Sequence, residues 1–232
     1  MSTFSTTTAI GNIKVKNKVL SDTMKLLSYT LVFGGLASWF SIASGAGFGS
    51  AIVSSITAIA VIWFVLPKTQ NSNNGILTAF AIAGLLGYSI GPMLTHYLAM
   101  PNGADLVFQA LTGTGVSFFA ISFYAQNTKK DFSFLNGMIF FAMIGIIVLS
   151  IINFFFIESS GFSLFMSFAV VLIMGAYMLS QMSSIINGGE TNYIVATVGL
   201  YLALHNMFTS LLHILGAFSG DDRSEERRVG KE

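Results

Sequence analysis

The chain has 232 residues, 53% hydrophobic and only 9% charged, with a formal net charge of +1 and no cysteine; its mean hydropathy is +0.74. A water-soluble domain carries roughly 25% charged residues, so composition excludes an ordinary cytosolic enzyme, a disordered chain and a nucleic-acid binder. Without cysteine there are no disulfides, thiolate nucleophiles or cysteine-ligated zinc or iron–sulfur sites.

Residues 1–22 are rich in Ser and Thr and then in Lys, with no acid before Asp22. No short apolar core with a small-residue cleavage site precedes Met24, so no signal peptide is expected and the segment reads as a basic tail. That tail, with Lys14, Lys16 and Lys18, is either a topology anchor or a docking handle for a cytosolic partner.

A helix needs about 20 mainly apolar residues to cross roughly 30 Å of bilayer hydrocarbon. Met24–Ser44 is the first such stretch. The glycine-rich link after it superficially resembles a phosphate loop but follows no strand, so no dinucleotide site is expected there. The second stretch is Ala51–Pro67. The third, Gly75–Leu98, holds Gly87 and Gly91 at the spacing that lets helices approach closely. It also holds Pro92, whose missing N–H predicts a kink. The fourth, Asp105–Gln126, and the seventh, Asn192–Gly216, carry looser small-residue pairs, Gly113/Ser117 and Gly199/Ala203. Between them lie Phe134–Ile157 and Phe162–Met182. The links 45–50, 68–74, 99–104, 127–133, 158–161 and 183–191 are turns of four to nine residues, which leave no soluble domain and force antiparallel neighbours. The expected fold is an all-α, seven-helix membrane bundle over 23–220, in contact with the lipid bilayer.

No Asp, Glu, Lys or Arg occurs in 26–67, 69–104, 106–128, 132–157, 159–189 or 191–220. Lys14, Lys16, Lys18, Lys25, Lys68, Lys129 and Lys130 all fall on one face of the bundle, which the positive-inside rule makes cytoplasmic. An odd number of spans then puts the C-terminus outside. Trp39, Trp63, Tyr97, Tyr124, Tyr177 and Tyr193 lie near span ends, where amphipathic rings favour the headgroup level. Arg223–Glu232 (RSEERRVGKE) resembles the in-frame translation of a sequencing adapter and is set aside from fold reasoning. Without it four of eleven bases and three of ten acids go, and the charge balances.

The interior holds no carboxylate at depth, which argues against an ion-coupled carrier and leaves a hydrolase without a general base beyond a lone histidine. Neither enzyme activity, nor a cofactor, nor a metal site is expected. On the last stretch His205, Thr209 and His213 recur at i, i+4 and i+8, with Asn206 and Ser210 beside them. Such a face is unsuited to lipid, so this helix should lie largely buried. Its polar groups serve either as interhelical hydrogen-bonding partners or as the wall of a polar path. His205 and His213 are two turns apart, about 12 Å, and cannot share one ion. The expected partners are Gln181, Asn153, Gln109, Thr112, Thr95 and His96.

Four segments carry a family resemblance: Gly84 to Pro92 (GLLGYSIGP), Ala110 to Thr114 (ALTGT), Gly188 to Tyr193 (GGETNY) and Leu200 to Leu212 (LYLALHNMFTSLL). With seven spans and a basic N-terminal end, the chain over about 20–220 resembles the Bax-inhibitor, or transmembrane Bax-inhibitor-motif, family in its bacterial YccA-like branch. The resemblance implies a protein of the bacterial inner membrane. For the YccA-like branch it implies a partner, the membrane protease FtsH, which such proteins bind and restrain. For the wider family it implies a pH-sensitive calcium leak governed by two interacting aspartates on the last two spans. Those positions are Gln181 and Ala203 here, and neither side chain ionises. The protease-modulating reading is therefore the first expectation and the calcium leak the alternative.

Overall fold

The computed structural model describes the backbone of residues 2–128, 130–157 and 159–229, and side chains between 18 and 219 other than 129, 154 and 158. Lys14, Lys16, Lys129 and the charged segment Arg223–Glu232 lie outside the side chains described. Seven helical spans are long and apolar enough to cross a membrane: Lys18–Ala43, Phe48–Thr69, Asn74–Leu98, Gly103–Asn127, Leu135–Ile157, Ser160–Asn187 and Tyr193–Ser219. Among the described residues there is no strand. The fold is the all-α, seven-helix membrane bundle that the hydropathy pattern predicts.

Prolines shape two spans. Pro67 cannot donate to Trp63, and its ring crowds that carbonyl. The second span answers by opening into a π turn over Val61–Val65, in which the Leu66 N–H reaches the Val61 carbonyl. The third span breaks at Ile90 into Asn74–Ser89 and Gly91–Leu98, which is the kink expected at Pro92. The sixth span differs from expectation: it runs on from Met182 to Asn187 and stops only at Gly188, at a φ of 80° that glycine alone adopts cheaply. The extra turn escaped a hydropathy reading because Ser183, Ser184 and Asn187 are polar. Ser183 accepts from the Phe132 N–H at 2.9 Å, so the turn is held against the link between the fourth and fifth spans.

The seventh span is the axis of the bundle, with 67% of its apolar window buried against 6% for the fifth. It packs on the first, third, fourth and sixth spans, whereas the second span lies on the third and the fifth on the sixth. Ala196, Leu200, Ala203, Met207 and Leu212 are all buried along it. Outward, Phe119, Phe123, Phe140 and Phe141 are exposed, as lipid-facing side chains should be. Between helices in lipid there is no hydrophobic driving force, so association rests on close packing and interhelical hydrogen bonds. Glycines supply the first of these. A Cβ on Gly87 would strike the backbone of Gly34, one on Gly91 would strike Ser41, and one on Gly199 would lie 2.5 Å from the Tyr177 hydroxyl. Gly113 is not such a site, since its Cβ would meet only Leu211, at an ordinary 3.4 Å. Trp39, Trp63 and Tyr124 stay exposed near span ends, but Tyr97 is buried because its ring fills the space over Gly216.

Side chains to backbone supply the second. The Ser54 hydroxyl donates to the Leu85 carbonyl at 2.7 Å, and the Tyr201 hydroxyl to the Ala83 carbonyl at 3.0 Å. At the turn between the fifth and sixth spans, the fifth ends in a second π turn, Asn153–Ile157. There the Asn153 amide donates to the Ser163 hydroxyl at 2.8 Å and its carbonyl accepts the Ser159 N–H at 3.3 Å. Asn153→Ala removes both contacts next to the headgroup level, where water can replace them. The expected cost is about 1 kcal/mol, a fall of roughly 2–4 °C in melting midpoint of the detergent-solubilised protein. An unchanged midpoint would show that this turn is held by packing alone.

Candidate functional site

Each step of four residues overshoots a full helical turn by about 40°. Over His205, Thr209 and His213 the polar face therefore wraps part of the way round the seventh span, and the structure divides it. His213 turns to the sixth span, where its Nδ1 lies 2.8 Å from the Ser167 hydroxyl. Ser167 in turn donates to the Ser163 carbonyl at 3.1 Å. Thr209, Ser210 and His213 line a cavity of about 360 Å³ together with His96, Tyr97 and Met93 of the third span. This cavity lies at the end of the bundle away from the lysines, and it brings two of the three histidines to one place.

His205 belongs elsewhere. Its ring stacks on Tyr201 at 6.2 Å and lines a second space, of about 800 Å³, between the first and fourth spans. Asn206 turns back on its own helix, its amide donating to the Leu202 carbonyl at 2.9 Å, and Thr209 donates to the Asn206 carbonyl at 3.1 Å. Gln181 is half-buried, and its side chain makes no hydrogen bond among the described residues. No side-chain to side-chain hydrogen bond joins any two of Gln181, His205, Asn206, Thr209 and His213. Of the partners expected for this face, Gln109 and Thr112 are exposed on the fourth span, whose inward polar residue is Thr114 instead. Asn153 holds its own turn and reaches the face only indirectly, through Ser163 on the span that carries Ser167. Thr95 is exposed and bonds the Gly91 carbonyl, leaving His96 as the third-span residue that joins Thr209 and His213.

Ala203 has no solvent exposure and sits in the apolar core with Leu200, Leu204, Met178 and Met207. Among the described residues no cluster of three or more His, Cys, Asp or Glu side chains forms. What the interior offers chemically is therefore neutral hydrogen bonding. Ser167 and Tyr201 are the contributors that sequence reasoning missed. The Ser163/Ser167 step of four and the place of Tyr201 in the LYLALHN segment were the available signals.

The lysine-bearing end is knit by its links. The Asn192 amide donates to the Gln70 carbonyl at 2.9 Å and to Asn71 Oδ1 at 3.0 Å, tying the last link to the one between the second and third spans. Glu190 accepts the Asn192 N–H at 2.7 Å. Asp131 accepts the Ser133 N–H at 2.9 Å, and this bond holds its carboxyl below the usual carboxylate range. Lys18, exposed, lines an open cleft with Asp22, Lys25 and Thr191.

The family model described as "Inhibitor of apoptosis-promoting Bax1" matches residues 16–220. An uncharacterised membrane protein of Vibrio cholerae is 41% identical over 219 residues, which cover 94% of this chain and 98% of that one. The Escherichia coli protein named modulator of FtsH protease YccA is 39% identical over 205 residues, 88% of this chain and 92% of its own. An uncharacterised Pseudomonas aeruginosa protein is 38% identical over 217 residues, 92% of this chain and 96% of its own. With that match running through all seven spans, the chain belongs to the Bax-inhibitor family of membrane proteins and is similar, within it, to YccA.

Proposed function

We propose that the protein modulates an FtsH-type membrane protease in protein quality control at the bacterial inner membrane, as an inhibitor or substrate-like partner. The observation that carries this reading is a conjunction. Similarity to the modulator YccA runs through 88% of the chain, while the two positions where a calcium leak would need carboxylates hold Gln181 and Ala203. A closely packed body with short links gives a protease little to grip, and the basic segment with Lys14, Lys16 and Lys18 is the handle. Lys18, Lys25, Lys68 and Lys130 share one end of the bundle, and the positive-inside rule would turn that end to the cytosol.

The test is deletion of residues 2–17. The cut stops there because Val19 and Leu20 pack against the core. Co-purification of FtsH with the full chain is expected to fall by about tenfold on deletion, with the melting midpoint of the bundle unchanged. Undiminished co-purification would remove the tail from the proposal. Calcium uptake into proteoliposomes above that of empty vesicles would favour the leak instead.

A further inference from the structure

The space that His205 lines is a slot. Its walls are the first span from Met24 to Ser38 and the fourth from Val107 to Phe119, two helices that each pack on the seventh span without an extensive interface between them. Its floor is the seventh span from Tyr201 to Phe208, with Gly87, Ile90 and Leu94 of the third. The fourteen residue steps from Met24 to Ser38 on the first span give it a length of about 21 Å. Exposed Leu31, Leu111 and Phe119 mark where it opens sideways, toward the bilayer.

The chemistry of the lining is selective. It contains no charged residue. Its hydroxyls are already engaged within the bundle: Ser28 with the Met24 carbonyl, Ser38 with Gly35, Thr114 with Ala110 and Tyr201 with Ala83. Among the described residues that leaves His205 as the polar side chain of the lining without a hydrogen-bond partner. It lies twelve residues along the span from Tyr193, about 18 Å in, near the middle of roughly 30 Å of hydrocarbon.

A volume of about 800 Å³, lined by apolar and aromatic side chains with one placed polar group, is the character of a small-molecule site. A phosphate headgroup stays at the interface and cannot reach mid-depth. We propose that this slot binds a long-chain neutral amphiphile dissolved in the membrane, its chain along the slot and a hydroxyl or carbonyl hydrogen-bonded to the His205 imidazole. Either ring nitrogen serves, as donor to a carbonyl or acceptor from a hydroxyl.

The probe is a long-chain alcohol with its hydroxyl at mid-chain and a diazirine at one end, applied to the full-length protein in lipid nanodiscs, beside a matched alkane lacking the hydroxyl. Photolabelling by the alcohol is expected to saturate and to fall on Leu31, Leu111 and Phe119. A Cβ at Gly35 or Gly115 meets open space, so Gly35→Trp and Gly115→Trp are expected to fill the slot from opposite walls. Each is expected to cut labelling by about tenfold while the melting midpoint holds. Gly137→Trp, on the lipid face of the fifth span, leaves labelling unchanged. His205→Leu brings the alcohol down to the level of the alkane, roughly five- to tenfold for one hydrogen bond, and His205→Gln retains most of the difference. The proposal is overturned if labelling does not saturate, or if both slot-filling variants label as the wild type does. It is equally overturned if the alcohol and alkane label alike in the wild type, or if probes placed at Gly115 cross-link to another polypeptide's transmembrane helix.

Discussion

Gly87→Ala is expected to destabilise the bundle by about 3 kcal/mol or more, at the upper end of what overpacking costs. The added methyl would lie 2.7 Å from both the carbonyl carbon and the Cα of Gly34, and closer still to the Gly34 oxygen. These are backbone atoms in a helix, so no side chain can swing aside. The first and third spans would have to part. They would do so where the Tyr201 hydroxyl bonds Ala83 and where a Cβ on Gly34 would itself strike that hydroxyl, so one methyl disturbs three spans. The sign makes the test sharp. Replacing glycine by alanine inside an unobstructed helix gains up to about 1 kcal/mol from propensity alone. Gly115→Ala and Gly137→Ala, whose new Cβ atoms meet nothing within 4 Å, should therefore melt at or slightly above the wild type. If Gly87→Ala melts with them in detergent, the crossing of the first and third spans is looser than its geometry.

The glycine at this crossing was legible beforehand because GxxxG is a local pattern with a local cause. Spans, short links and the burial of the seventh helix were legible for the same reason, since each follows from composition within one segment. The pairing of polar side chains was not. Gln109 and His96 look equivalent in sequence, each a polar residue within a turn or two of a span end. Which of them faces the seventh helix depends on the rotation of whole helices, set by contacts such as Gly34 against Gly87 and Tyr97 against Gly216. The extra turn at Ser183–Asn187 was hidden because its polar residues belong to the bundle end, where hydropathy no longer marks the helix. The division of the polar face between His205 and His213 followed from the 40° drift per step, which was available in the spacing. Its consequence appeared only once the neighbours of the seventh span were known.

Ala203→Asp is expected to cost about 3 kcal/mol near neutral pH, the scale for an aspartate at the centre of a membrane helix. Ala203 has no exposed surface and belongs to the apolar core that also holds Leu200, Leu204, Met178 and Met207, so the new side chain is expected to find no water. The charged carboxylate is the expensive form, and the folded state would favour the neutral acid. It then holds more protons than the unfolded chain, so stability falls as pH rises from about 4 upward. The variant should melt higher at pH 5 than at pH 8, while Ala203→Asn, of similar size and without a proton to lose, should show the same loss at both. Equal melting of Ala203→Asp at the two pH values would mean that water reaches this position. Adding Gln181→Asp tests whether the two positions face each other, as the family resemblance implies. Facing carboxyl groups share a proton and titrate as a pair, so the pH dependence of the double variant would depart from the sum of the single variants. The same variant is the fair test of calcium passage. Uptake that appears with the two carboxylates and responds to pH would show that the bundle retains the path and lacks only the gate. Uptake absent from both double variant and wild type would count against the calcium leak and favour the proposed role in modulating proteolysis.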